Sequence, residues 1–148
     1  MSVFTIRPIE SVDDVLPMTR ALNAHEGIAV ESEPLAAAVA TLLSHPELGR
    51  AWGIHAGDGA RVGYAIVTFG FDLEFAGRDA WLTEIWVDPE HRGHGAAAAA
   101  LDLVAAETRA LGAGALHLQV RSDNPARRLY ERAGFAVVPR LIMTRRLR

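Results

Sequence analysis

The sequence predicts an α/β or α+β domain in which helices cover a mixed β-sheet. Three observations predict it. Alternating, β-rich runs recur along the chain, and between them lie segments with apolar residues at helical spacing. A run at 80–87, a glycine-bearing loop, an alanine-rich helical stretch and a second run at 115–121 form a strand–helix–strand unit, whose connection should be a right-handed parallel crossover. Finally, two runs at 50–56 and 61–71 are joined by Gly57-Asp58-Gly59-Ala60, a turn whose glycines accept positive φ, so this pair reads as an antiparallel hairpin.

The elements follow in order. Val3-Phe4-Thr5-Ile6-Arg7 alternates and gives a first strand stopped by Pro8. Ser11 or Asp13 caps a helix over about 12–22, with Val12, Val15, Leu16 and Leu22 on its apolar side. A second helix over about 34–44 repeats Leu35, Val39 and Leu42 and ends before Pro46. After the hairpin, 72–79 reads as a polar loop, and the strand 80–87 stops at Asp88-Pro89. A helix over about 95–111 carries Leu101, Val104 and Leu111, and Gly112 and Gly114 end it. Strand 115–121 places Leu116, Leu118 and Val120 on one face. A short helix at about 125–133 breaks at Gly134-Phe135, and two terminal strands follow at about 135–139 and 141–147. The order is βααβββαβαββ. With no repeat or linker, residues 1–148 read as a single domain.

Composition removes whole classes of chemistry. The absence of cysteine excludes a disulfide scaffold, thiolate zinc sites and a cysteine nucleophile. All 15 basic residues are arginine, so a lysine Schiff base and a P-loop lysine are excluded too. No apolar stretch approaches the roughly 20 residues of a membrane span, and the N-terminal Met1-Ser2-Val3-Phe4 run does not read as a signal peptide. The default is a cytoplasmic protein without a membrane or nucleic-acid partner, in keeping with a net charge of −3. That charge is unevenly spread: residues 1–91 carry 14 acids and 5 arginines, and residues 92–148 carry 4 acids and 10 arginines. Such a division suits a cationic ligand on one side and an anionic one on the other, although an ordinary solvated surface produces it as well.

The stretch Val87-Asp88-Pro89-Glu90-His91-Arg92-Gly93-His94-Gly95-Ala96-Ala97 is the most informative. A strand ends, two glycines follow, and a helix begins. Free N–H groups at such a helix start favour anions, and the glycines let a diphosphate approach the main chain. Arg92 is placed to add a charge-assisted bond, and the alanines Ala96 to Ala100 add no bulk. A tight turn before a closely packed helix explains the same residues. A dinucleotide fingerprint also fits on Gly93, Gly95 and Ala98, but the acid expected about 20 residues later is replaced by Leu118. The third reading is a coenzyme A diphosphate site.

Arg92-Gly93-His94-Gly95-Ala96-Ala97 resembles R/Q-x-x-G-x-G/A, the acyl-CoA-binding motif of the GNAT N-acetyltransferases. Asp123-Asn124-Pro125-Ala126-Arg127-Arg128-Leu129-Tyr130-Glu131-Arg132-Ala133-Gly134-Phe135 is similar to that family's N-x-x-A-x-x-L-Y-x-x-x-G-F signature. Counted back from Ala126, the family's asparagine position falls on Asp123, with Asn124 one place later. The likeness covers about residues 80–136; the first 79 residues fit by element order. It implies a mixed, mostly antiparallel, six- to seven-stranded sheet flanked by about four helices and splayed between strands 4 and 5. It further implies acetyl transfer from acetyl-CoA to an amine by direct attack, without a metal.

The resemblance also assigns residues. Backbone groups at Ile85, Trp86 and Val87, together with Arg92, Gly93, His94, Gly95, Ala96, Ala97 and Asn124, would bind the cofactor. Tyr130 matches the family's tyrosine and would protonate the departing thiolate, or it simply packs its helix on the sheet. Glu84 resembles the acid carried on this strand and would act as the base through water, with Trp81 and Trp86 as an apolar wall; an ordinary surface charge is the equal alternative. His91 and His94 lack a third ligand in sequence, so no metal is expected, and His117 reads as a core or substrate-wall residue. Glu26, Glu31, Glu33, Asp72 and Glu74 would draw in a cationic acceptor, either a small molecule or a protein amine. Family habit allows a homodimer through the last strands. A non-catalytic acyl-CoA-binding module and a nucleotide-binding redox domain are the competing functions.

Overall fold

A computed structural model describes residues 3–148; Met1 and Ser2, which open the N-terminal run, lie outside the described residues. Five strands form one sheet in the order β1-β2-β3-β4-β5. They are β1 (Thr5–Pro8), β2 (Gly49–His55), β3 (Arg61–Asp72), β4 (Gly77–Val87) and β5 (Leu116–His117). The first four are antiparallel neighbours, and β5 lies parallel to β4. The helices are α1 (Leu16–Glu26), α2 (Ser32–Ser44), α3 (Ala96–Ala110) and α4 (Ala126–Arg132). The hairpin and the parallel crossover form where the sequence places them. No helix among the described residues is long and apolar enough to cross a membrane.

Side-chain alternation along β2 and β3 divides the core into two layers. Ala51, Tyr64 and Ile66 face α1 and α2 together with Val15, Val39 and Trp86. Trp52, Ala65 and Val67 face the opposite side, against Leu101 and Val104 of α3 and the partly buried Leu129 and Tyr130 of α4. Each fully buried Val or Leu contributes about 1.5–3 kcal/mol, so α3 is held chiefly by its Leu101–Val104 stripe.

β4 breaks its own alternation. Val67 pairs with Leu82 but Ile66 pairs with Glu84, so Thr83 is an extra residue, and its hydroxyl bonds the Ile66 carbonyl at 3.2 Å. Before this bulge the even residues Ala80 and Leu82 face α3. Beyond it Ile85 takes that face, and Glu84 and Trp86 lie with Tyr64 and Ile66 on the α1 side. Unbroken alternation would bury Glu84 under α3. Gly63 is required opposite this segment, because a Cβ there would meet the Trp86 carbonyl oxygen at 2.1 Å.

Several expectations need correction. The helix expected at 12–22 starts later and runs further, as a 3₁₀ turn at Val12–Asp14 followed by α1; neither Ser11 nor Val15 gives a side-chain cap. The loop expected at 72–79 contains a 3₁₀ turn at Leu73–Phe75 and the start of β4. The strand expected at 115–121 shrinks to two residues. β5 pairs only through Ala80 with Leu116 and Trp81 with His117, because the bulge re-aims β4 two residues later. The terminal strands at 135–139 and 141–147 do not form, so the sheet has five strands and not six or seven. Pro139 lacks a donor, Arg140 turns back onto the Val138 carbonyl (2.8 Å), and its guanidinium is drawn to Glu74 by two bonds of 3.0 and 3.2 Å. The apolar residues beyond are left open, with Leu141 95 % and Met143 92 % exposed.

Candidate active site

A cavity of about 280 Å³ lies where β4 parts from β5. Its walls are Leu22, His25 and Glu26 of α1, Ile85, Trp86 and Val87 of β4, Arg92 and Ala97 at the entry to α3, and Asn124, Ala126, Leu129 and Tyr130 around α4. Residues from the two sequence motifs thus share one space. So does the end of α1.

The β4 edge of this cavity follows from ladder geometry. The Asp88 amide donates to the Val62 carbonyl at 2.8 Å, and bonded pairs alternate along an antiparallel ladder. Ile85 and Val87 therefore point their main-chain groups away from β3, toward the side on which β5 is no longer paired. Arg92 occupies part of that edge. Its Nε donates to the Val87 carbonyl at 2.9 Å, and its guanidinium carbon lies 4.6 Å from the Trp86 ring centre. The charge expected to meet an anion is thereby folded back onto the strand end.

The glycines adopt the conformations their sequence setting suggests. Gly93 (φ 82°) and Gly95 (φ 85°) are both left-handed, and a side chain at either would be strained. Gly95 is the N-cap of α3, and the first helical bond runs from the Ala99 amide to the Gly95 carbonyl (3.0 Å). The amides of Ala96 to Ala98 precede it and have no helical partner. Ala96 packs into the core, and Ala97 faces the cavity. His94 reaches back to the His91 carbonyl at 3.3 Å, and His91 lies 3.6 Å from Glu90.

The second motif also has a local explanation. The Asn124 side-chain oxygen accepts the Ala126 amide at 2.9 Å and starts α4. Asp123 points elsewhere, to Arg121 at 3.5 Å. At the other end, Gly134 (φ 95°) reverses the chain, so that the Phe135 amide bonds the Tyr130 carbonyl (3.0 Å) and the two rings meet edge-on at 6.2 Å. This fixes the Tyr130 ring on the cavity wall. Burial pushes its hydroxyl above the ordinary phenol range, and the nearby Glu26 carboxylate adds to the rise.

Glu84 sits differently from Tyr130. It shares a strand face with Trp86 but is not among the cavity-lining residues. Its carboxylate accepts the hydroxyl of the fully buried Tyr64 at 3.3 Å. Burial raises Glu84 from 4.5 to about 6, and the Tyr64 bond opposes part of that rise. Tyr64 itself is pushed up, by burial first and by the Glu84 charge second. Trp81 is not part of this wall; its ring stacks on His117 at 4.8 Å. Of the five acids expected to attract a cation, Glu26 lines the cavity, whereas Asp72 accepts the Glu74 amide and Glu74 holds Arg140. Sequence reasoning missed His25, Leu22 and Tyr64. Leu22 reads only as part of the apolar stripe of its helix, His25 lies past that helix's expected end, and Tyr64 meets Glu84 only through strand register.

Residues 17–135 match the profile of the Acetyltransferase (GNAT) family. The chain belongs to the GNAT acetyltransferase family. The match starts within α1, well upstream of the two motifs, so the N-terminal half is part of the family domain. No curated protein matches the chain. Among solved structures, an integron cassette protein from the mobile metagenome of Cole Harbour salt marsh is 30 % identical, with a TM-score of 0.85 over 97 % of this chain and 90 % of that one. A predicted acetyltransferase from Clostridium acetobutylicum, solved with acetyl-CoA, has a TM-score of 0.77 at 18 % identity over 96 % of each chain. Ribosomal-protein-alanine N-acetyltransferase from Brucella melitensis biovar Abortus 2308 gives 0.75 at 21 % identity over 97 % of each. These last two likenesses speak for the fold, and it is a GNAT fold with a short fifth strand.

Proposed function

We propose that this GNAT protein transfers the acetyl group of acetyl-CoA to a primary amine by direct attack. One observation carries the reading: the β4 edge at Ile85–Val87, Arg92 and Ala97 on either side of the left-handed glycines, and Tyr130 line a single cavity. The donor set suits the co-substrate. Main-chain groups of Ile85 and the Val87 amide match the amides of a pantetheine arm, and the unpaired amides of Ala96 to Ala98 match a diphosphate. When bound, acetyl-CoA supplies the thioester; a C–N bond forms as the C–S bond breaks. Tyr130 gives its proton to the departing sulfur, and Glu84, through water, takes the proton released by the amine. Glu26 on the opposite wall favours a cationic acceptor, whether a small molecule or a protein amine. Glu84 and the phenol Tyr130 divide the proton work because burial raises the carboxyl only to about 6, still mostly ionised at pH 7, and keeps the phenol neutral.

Coenzyme A at about a hundred times its dissociation constant should stabilise the folded protein by about 2.7 kcal/mol, raising the melting temperature by several degrees. Calorimetry should find it preferred over NAD(P). No thermal protection, or preference for the dinucleotide, would remove the reading.

The proposal includes a homodimer through residues 136–148. That segment presents Val137, Val138, Leu141, Ile142, Met143 and Leu147 to solvent, and Phe71 and Leu73 are exposed near the Glu74 that holds Arg140; contiguous exposed apolar surface marks an interface. Light scattering should give twice the 16.0 kDa chain mass, and deletion of 136–148 should return the monomer. A monomeric full-length chain would refute it.

A further inference from the structure

Asp79 is a carboxylate in the wrong place for a surface charge. It is 5 % exposed, and it sits at the start of β4, away from the cavity. Its Oδ2 lies 3.2 Å from Nε2 of His117, which comes from β5. The imidazole is packed in turn between two rings, Trp81 at 4.8 Å and Phe75 at 5.1 Å. The opposite strand is cut away to admit the carboxylate. Gly70 is the register partner of Asp79, and a Cβ there would stand 2.6 Å from Asp79 Oδ1. A buried carboxylate is costly unless it is paired and bonded, so this corner is a built feature of the fold.

Its position gives it a role. The two rungs of the β4–β5 ladder are Ala80 with Leu116 and Trp81 with His117, so the pair joins the strands at the last place where they touch. Beyond it the Thr83 bulge turns β4 away, and the cavity opens. Two main-chain bonds flank the same point: the Ala80 amide to the Ala115 carbonyl (3.0 Å) and the Gly114 amide to the Arg78 carbonyl (2.8 Å). So short a ladder is a weak joint by itself, since each such bond nets only about 0.5–1.5 kcal/mol.

We propose that Asp79 and His117 form a clasp that fixes the apex of the cleft between β4 and β5, and are positioning residues for the ligand that enters it. This rests on the reading that acetyl-CoA lies in that cleft. Neither residue touches the reacting atoms. Their effect is to hold β5 in register with β4, so that the cleft keeps its width at the apex where the ligand enters.

The clasp is tested by hydrogen exchange and ligand binding on the full-length protein and three variants, Asp79→Asn, His117→Ala and Gly70→Ala, the last crowding the carboxylate without removing either partner. Exchange at the Ala80 and Gly114 amides should quicken by about tenfold or more in His117→Ala, with the β2–β3 amides unchanged, because the opening is local. Coenzyme A should bind His117→Ala about tenfold more weakly, while kcat at saturating acetyl-CoA falls less than about threefold. Asp79→Asn keeps a side chain able to bond the imidazole, so it should recover most of both losses, whereas Gly70→Ala should resemble His117→Ala. Folded variants whose Ala80 and Gly114 amides exchange at the parent rate would overturn the clasp. If the amides loosen but the parent itself does not bind coenzyme A, the clasp stands and the functional reading fails.

Discussion

Tyr130→Phe is expected to lower kcat by about 10²–10⁴-fold while coenzyme A binding stays close to that of the parent. The substitution removes one oxygen. The ring still meets Phe135 edge-on, and the Tyr130 carbonyl still accepts the Ala133 and Phe135 amides, so α4 and the cavity wall keep their shape. What is lost is the proton for the departing thiolate. Burial and the Glu26 charge both raise the hydroxyl above its ordinary value of 10.0, so the phenol stays protonated through neutral pH, and no alkaline loss of activity from this group should appear below about pH 10. Steady-state turnover with an amine panel, run beside calorimetry, separates the outcomes. An unchanged kcat would leave Tyr130 as a packing residue. Coenzyme A binding with no turnover of any amine by the parent would favour a non-catalytic acyl-CoA-binding module.

The parts of this molecule that were legible in its sequence are those with local causes. Gly93 and Gly95 mark left-handed turns because other residues avoid that conformation, and Gly134 reverses the chain for the same reason. The Gly57–Ala60 turn and the Leu101–Val104 stripe are likewise written within a few residues of where they act. The illegible parts depend on register. Nothing in Leu82-Thr83-Glu84 announces a bulge, yet that one extra residue decides whether Glu84 faces α3 or Tyr64. The terminal strands fail for a related reason. An alternating pattern states which face would be buried and does not supply an edge to pair with, and here the edge past His117 is turned away. Of the site, the two motifs, Tyr130 and Glu26 could be placed from sequence, while His25 enters through the length of α1.

Glu84 should show the second large effect, in rate and in stability at once. In the parent, kcat should rise with pH through about 6 as the carboxylate ionises, because only the charged form accepts a proton. Glu84→Gln should flatten that limb and lower kcat by about 10²-fold or more. The stability effect has the opposite sign. The folded value of about 6 exceeds the ordinary 4.5, so the folded protein holds this proton more firmly than the unfolded chain does. Its contribution is fully present below 4.5 and is lost as pH rises through 6, a change on the order of 2 kcal/mol. A neutral amide still accepts the Tyr64 hydroxyl and carries no charge to desolvate. At pH 8 the glutamine variant should therefore melt above the parent by several degrees, and the gap should close as pH falls toward 4.5. A variant that is inactive yet no more stable at pH 8 would mean that Glu84 is solvated when charged. One that keeps the rising limb near pH 6 would move the base to another group.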